Sequence, residues 1–130
     1  MKNIYILYVR SLLEQSCTVW NSGLTNENSE DLERVQKNAL KIILQDEYKT
    51  YENALIILDL DKLNERREHL CLQFAKKCVG HDKMKHLFPK NKKSHVMVTR
   101  FEEIHEVNHA NTERLKNSPI VYMQRLLNEK

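Results

Sequence analysis

Apolar positions in the first part of the chain crowd together. Over residues 3–20, Ile4, Leu7, Tyr8, Leu12, Leu13 and Val19 recur at helical spacing and cover more than half of a helical circumference. A surface that wide predicts a central, largely buried helix. The stretch "NSGLTNENSED" that follows has loop composition, and Asn28 or Ser29 near its end can cap a helix by accepting free backbone N–H groups. Beyond it, Leu32, Val35, Ala39 and Ile42 are spaced by three, four and three, an amphipathic seam. Glu30, Asp31 and Glu33 fall in the predicted first turn, where the helix dipole favours negative charge.

Thr50 predicts the start of a short helix through "YENALIILDL". Asp61 predicts the cap of a longer one, with Leu63, Leu70, Cys71, Phe74 and Cys78 on one face and Gly80 as a left-handed residue closing it. After "MKHLFP" the periodicity fails. Residues 89–112 mix Lys, Asn, His and Thr with isolated apolars and predict an irregular or partly extended connection. Ser118 and Pro119 then predict a final helix, Ser as N-cap and Pro at the first helical position, carrying Ile120, Val121, Met123, Leu126 and Leu127. The expected fold is all-α, about five helices in a small irregular bundle. A helical domain over 1–88 would precede a basic, irregular connection with the C-terminal helix over 89–130.

Composition supports this. The 130 residues hold two Gly and two Pro, too few turn formers for a sandwich or barrel. A phosphate-cradling Gly-rich loop cannot be built from Gly23 and Gly80 alone. The "LDLD" carboxylates, with Asp61 read as a cap, do not specify a metal site. Three cysteines at Cys17, Cys71 and Cys78 form no disulfide framework and suggest a reducing, intracellular compartment, cytoplasmic or nuclear. No span has the length or apolarity of a transmembrane helix.

Net charge is only +3, but its distribution is uneven. Residues 76–100 hold eight Lys or Arg against the single acid Asp82, a local +7 that leaves the rest of the chain at −4. Such a segment attracts phosphate through counterion release, without reading sequence. Aromatics able to stack on bases are sparse there, with only Phe88 and Phe101 at hand.

Two patterns suggest metal chemistry. His105-Glu106-Val107-Asn108-His109 spells H-E-x-x-H, which on a helix puts two histidines on one face beside a general base. Its flanks lack the apolar face that would bury such a helix, and no third ligand follows on a partner helix. The expectation is a pair of surface histidines. Cys78-x2-His81, near His69, Cys71 and His86, has half-site spacing, but Leu70 and Phe74 share its helical face and favour a core role. No metal and no cofactor is expected.

The order of segments carries the more specific signal. "YVRSLLEQSCTVWNSGL", "LERVQKNALKIIL", "YENALIILDLDKLNERREHLCLQFAKKC", "KHLFP" and "ANTERLKNSPIVYMQRLLN" resemble, nearly end to end, the C-terminal region of non-LTR retrotransposon reverse transcriptases. Val19-Trp20, Leu32 to Gln36, Arg66-Arg67 and the closing Ser-Pro helix fall in that family's order. The resemblance implies a helical thumb and the tail beyond it, following a catalytic palm. The family's metal-binding carboxylates lie upstream in a turn with paired aspartates, and this chain has no Asp-Asp pair, so no catalytic residue carries over. The H-E-x-x-H stretch corresponds to a linker before the terminal helix.

What the resemblance does carry over is the thumb's hold on a primer–template backbone. Arg34, Lys37, Lys41, Arg66 and Arg67 are the candidates on helices, joined by Lys76, Lys77, Lys90, Lys92 and Lys93 in the basic segment. The expectation is a retrotransposon-derived fragment, not an enzyme on its own, that binds RNA or RNA–DNA duplex non-specifically. The alternative is a helical interaction module docking on a polymerase palm and fingers or self-associating.

Overall fold

In a computed structural model, residues 1–90 and 105–129 are described. They form an all-α protein, with one isolated antiparallel bridge between Lys90 and His105. The chain divides into two compact units, residues 1–17 with 24–69, and residues 18–23 with 70–130. The division falls inside a long helix, whereas the pattern of polar residues suggested a boundary after residue 88.

The first unit opens with a helical rod in three adjoining pieces. These are α1 (Lys2–Ile4), a π-helical stretch (Tyr5–Arg10) and α2 (Ser11–Glu14). Ser16, at φ 54°, ends the rod before the short α3 (Cys17–Trp20). The expected burial of this segment is overturned. Tyr5 is buried, but Ile4, Leu7, Tyr8 and Leu12 are 58%, 66%, 69% and 70% exposed, and Val19 is exposed as well. The apolar surface is wide because it has two sides, and only one of them, centred on Tyr5, turns inward.

Helix α4 (Asn26–Leu44) begins earlier than the loop composition suggested. Its cap is Thr25, whose hydroxyl accepts the Asn28 N–H at 3.2 Å, rather than Asn28 or Ser29. That places Glu27, not Glu30 to Glu33, in the first turn. The buried seam is also rotated by one residue, about 100°. Gln36, Leu40 and Leu44 are inside, while Val35 and Ile42 face out. The expected seam skipped a glutamine, and that glutamine proves to be the most buried polar group of the helix. Helix α5 (Tyr51–Leu58) starts at Thr50 as expected, and Thr50 accepts the Asn53 N–H at 3.2 Å. Leu40, Leu44, Tyr51, Ala54 and Leu55 form the first core, closed by Ile43, Tyr48, Leu58 and Leu60.

Helix α6 (Leu63–Gly80) crosses from the first unit to the second. Its first turn bonds Arg66 N–H to the Lys62 carbonyl at 3.0 Å, so Lys62 rather than Asp61 takes the cap position. Gly80 does not adopt a left-handed conformation, since no glycine here has positive φ, and it serves as the last helical residue. Phe74 is half exposed; Leu72 and Ala75 pack inside in its place.

In the second unit, α7 (Glu113–Lys116) is capped by Thr112, and α8 (Pro119–Glu129) starts with proline as the sequence predicts. Cys71, Leu72, Ala75, Cys78, Phe88, Met123 and Leu126 make the second core. All three cysteines are buried and unbridged. Cys71 and Cys78 act as small apolar groups, and burial pushes the Cys78 thiol pKa up, disfavouring thiolate.

Candidate nucleic-acid interface

Arg34, Lys37 and Lys41 are exposed along one side of α4, one turn apart in succession. Arg34 pairs with Asp31 at 2.7 Å, both side chains more than half exposed, so solvent screens the pair and it contributes little. The Lys37 ammonium lies 5.1 Å from the centre of the Tyr51 ring and that of Lys41 lies 5.7 Å from Tyr48. Cation–π contact holds each lysine against the helix without neutralising it. Glu30, Glu33, Arg34 and Lys37 line an open depression of about 410 Å³. Its two carboxylates weaken the attraction of this patch for phosphate.

The paired arginines of α6 have different surroundings from those expected of backbone-binding residues. Arg66 bonds Glu14 at 2.5 Å and is about two-thirds buried at its side chain. Arg67 has no exposed surface, and its Nη2 donates to the Ser29 hydroxyl at 3.0 Å. A phosphate cannot approach a guanidinium enclosed in this way, so Arg67 is corrected to a structural residue. Nothing in a single-residue helical pattern distinguishes the arginine that points in from its neighbour.

Within the second unit the cations have the opposite character. Lys76, Lys77, Lys83, Lys85 and Lys90 are all exposed. Asp82 is the one acid between residues 76 and 90, and it reaches Lys85 at 3.0 Å through an exposed pair. His81 and His86 are exposed among them. Lys92 and Lys93 lie outside the described residues.

The H-E-x-x-H stretch is not helical. His105 pairs with Lys90 as an extended bridge, and Glu106 N–H donates to the Pro89 carbonyl at 2.9 Å. The Asn128 amide closes on His105 from α8, donating to its carbonyl and accepting its N–H, each at 2.9 Å. One turn earlier, Gln124 accepts the Asn108 N–H at 2.9 Å and donates to the Leu87 carbonyl at 2.7 Å. His105 is therefore buried, not on the surface as expected, and its Nδ1 lies 3.3 Å from the Phe88 carbonyl. His109 is exposed. Non-helical backbone separates two histidines that a helix would stack, which removes the zinc-protease geometry. Among the described residues no three His, Cys, Asp or Glu side chains are grouped to hold a metal ion.

Compared with protein-family models, curated proteins and solved structures, the chain matches none. The likeness to reverse transcriptases rests on the sequence segments quoted above. Among the described residues no helix is long and apolar enough to cross a membrane.

Beside the cationic side of α4 runs a buried polar network. Tyr5 donates to Gln36 Oε1 at 2.6 Å, and Gln36 Nε2 donates to the Tyr51 hydroxyl at 2.9 Å and the Asp61 carbonyl at 3.0 Å. The Tyr51 hydroxyl donates in turn to Glu33, which also receives the Leu63 N–H at 3.3 Å. Burial is the largest cause that pushes the Tyr5 pKa up to about 12 from 10.0, and the carboxylates of Glu14 and Glu33 add to it while Arg10 opposes. Burial and then the bond to Glu33 push Tyr51 the same way.

A phenol whose folded pKa exceeds its unfolded value stabilises the fold fully below the unfolded value and less as pH rises. The first unit is accordingly expected to lose stability between pH 10.0 and about 12. Urea midpoints measured across that window should fall, and fall less in Tyr5→Phe. Equal slopes in the two chains would dissociate the effect from Tyr5.

Proposed function

We propose that this chain is a catalytically inactive, reverse-transcriptase-derived helical segment that binds the backbone of RNA or an RNA–DNA duplex without sequence preference. The observation that carries the reading is the surface of residues 76–90, where five exposed lysines face a single acid. Lysines of this kind attract phosphate as point charges and release condensed counterions, a gain that needs no base contacts. Lys76, Lys77 and Lys90 are the principal contacts, and Lys37 and Lys41 on α4 are secondary because Glu30 and Glu33 sit beside them. Arg67 and Arg66 support the fold.

Fluorescence anisotropy with a labelled RNA–DNA hybrid tests this. Binding is expected at micromolar Kd in low salt and should weaken steeply as salt rises. The logarithmic salt slope should drop by roughly 0.9 for each lysine removed in Lys76→Gln, Lys77→Gln and Lys90→Gln. Affinity that does not respond to salt, or no binding at low salt, would refute the proposal.

A second reading, a helical protein-interaction module, is favoured by a different observation. The N-terminal rod leaves a run of large apolar side chains in water.

A further inference from the structure

Along the rod, Met1, Ile4, Leu7, Tyr8 and Leu12 are exposed, all of them more than half. Successive spacings of three, three, one and four residues place them along one continuous stripe, with Leu12 one turn beyond Tyr8. Its inward counterpart is fixed, since Tyr5 donates to Gln36 and Glu14 faces Arg66. The stripe is therefore not a side that rotates in to complete the core. Ser11, in line with it, turns its hydroxyl back on the Leu7 carbonyl and adds no unsatisfied donor.

We propose that this stripe binds a second copy of the chain, with two rods packed antiparallel about a two-fold axis near Tyr8. The proposal rests on the interaction-module reading and names its occupant. Exposures of this size on five large side chains correspond to about 600 Å² per copy, or about 1,200 Å² for a pair, the lower bound of stable specific interfaces. A patch of that extent is at the upper end of what a monomer leaves in water.

From Ile4 to Leu12 the stripe carries no ionised group, so a copy of itself meets that stretch without burying charge. Lys2 and Glu14 sit at opposite ends of the rod. An antiparallel pair brings each Lys2 towards the negative end of the other helix, whereas a parallel pair sets like ends together. The two-fold then apposes Tyr8 with Tyr8 of the second copy, and Ile4 with its Leu12. That is the self-complementary arrangement a closed dimer requires.

Sedimentation of the full chain should show a monomer–dimer equilibrium with Kd on the order of 10 μM. Leu7→Lys with Leu12→Lys should abolish it while the far-ultraviolet circular dichroism stays native. Ile56→Lys, altering an isoleucine 78% exposed elsewhere in the same unit, should leave the dimer intact. Under mild oxidation Tyr8→Cys should cross-link to itself, and Ile4→Cys should cross-link only when mixed with Leu12→Cys.

A native chain that stays monomeric overturns the proposal, as does a dimer that survives the double lysine variant. Tyr8→Cys that does not cross-link while Ile4→Cys does overturns the antiparallel pairing. A monomer that binds an apolar dye through this stripe, with binding lost in the double variant, rejects the second copy yet keeps a docking surface for another protein. A monomer without such binding rejects both.

Discussion

Gln36→Leu is expected to lower the unfolding free energy of the first unit by about 4 kcal/mol, read as a shift of its urea midpoint. The side chain is fully buried in α4 and its amide uses every hydrogen it has, on Tyr51 and on the Asp61 carbonyl, while its oxygen receives Tyr5. Leucine would fill most of the volume but take away the partner of the Tyr5 hydroxyl and of the Asp61 carbonyl, and one of the two partners of Tyr51, which still donates to Glu33. Each orphan costs about 1–3 kcal/mol, and a connected network loses more than pairwise deletions suggest. Tyr5 is also a tie between the N-terminal rod and α4, so amide exchange along the rod should accelerate before the rest of the unit. A loss under 1 kcal/mol would mean that the network is ornamental.

In the second unit the corresponding change is Gln124→Leu, with an expected loss of about 3 kcal/mol. Gln124 is fully buried and joins three pieces of chain, since it lies on α8 and bonds both the Leu87 carbonyl and the Asn108 N–H. The substitution strands both backbone groups. The specific signature is local, with exchange at the Asn108 amide rising far more than exchange within α6. If exchange rises uniformly instead, Gln124 matters only through packing.

The contrast between the two arginines of α6 shows what a one-dimensional pattern conveys. Helical periodicity placed α5 and α8 correctly because Thr50 and Ser118-Pro119 are local signals, satisfied by backbone within one turn. The all-α class was legible for the same reason. The seam of α4 was not, because burial there is decided by a glutamine whose partners lie 15 to 31 residues away in sequence.

His105 was misjudged by the same route. Its burial comes from Asn128 and from the strand-like pairing with Lys90, neither visible from its neighbours. Of the cationic residues, the exposed lysines of residues 76–90 were legible because five lysines facing a single acid have nowhere to go but water. Arg66 and Arg67 were not, since Glu14 and Ser29 reach them from 52 and 38 residues away.

The π-helical stretch Tyr5–Arg10 acts as a phase shifter. A wider turn advances each residue less than the α-helix does, so six such residues delay the side chains beyond them by about one residue's rotation. Tyr5 and Leu12 stand at the two ends of that delay. Five residues of ordinary winding turn through about the same angle as these six, so deleting one residue from the stretch would leave Ile4 and Leu12 on the same side of the rod. The winding between Ile4 and Leu12, and not only their identities, sets what the outer side of the rod displays.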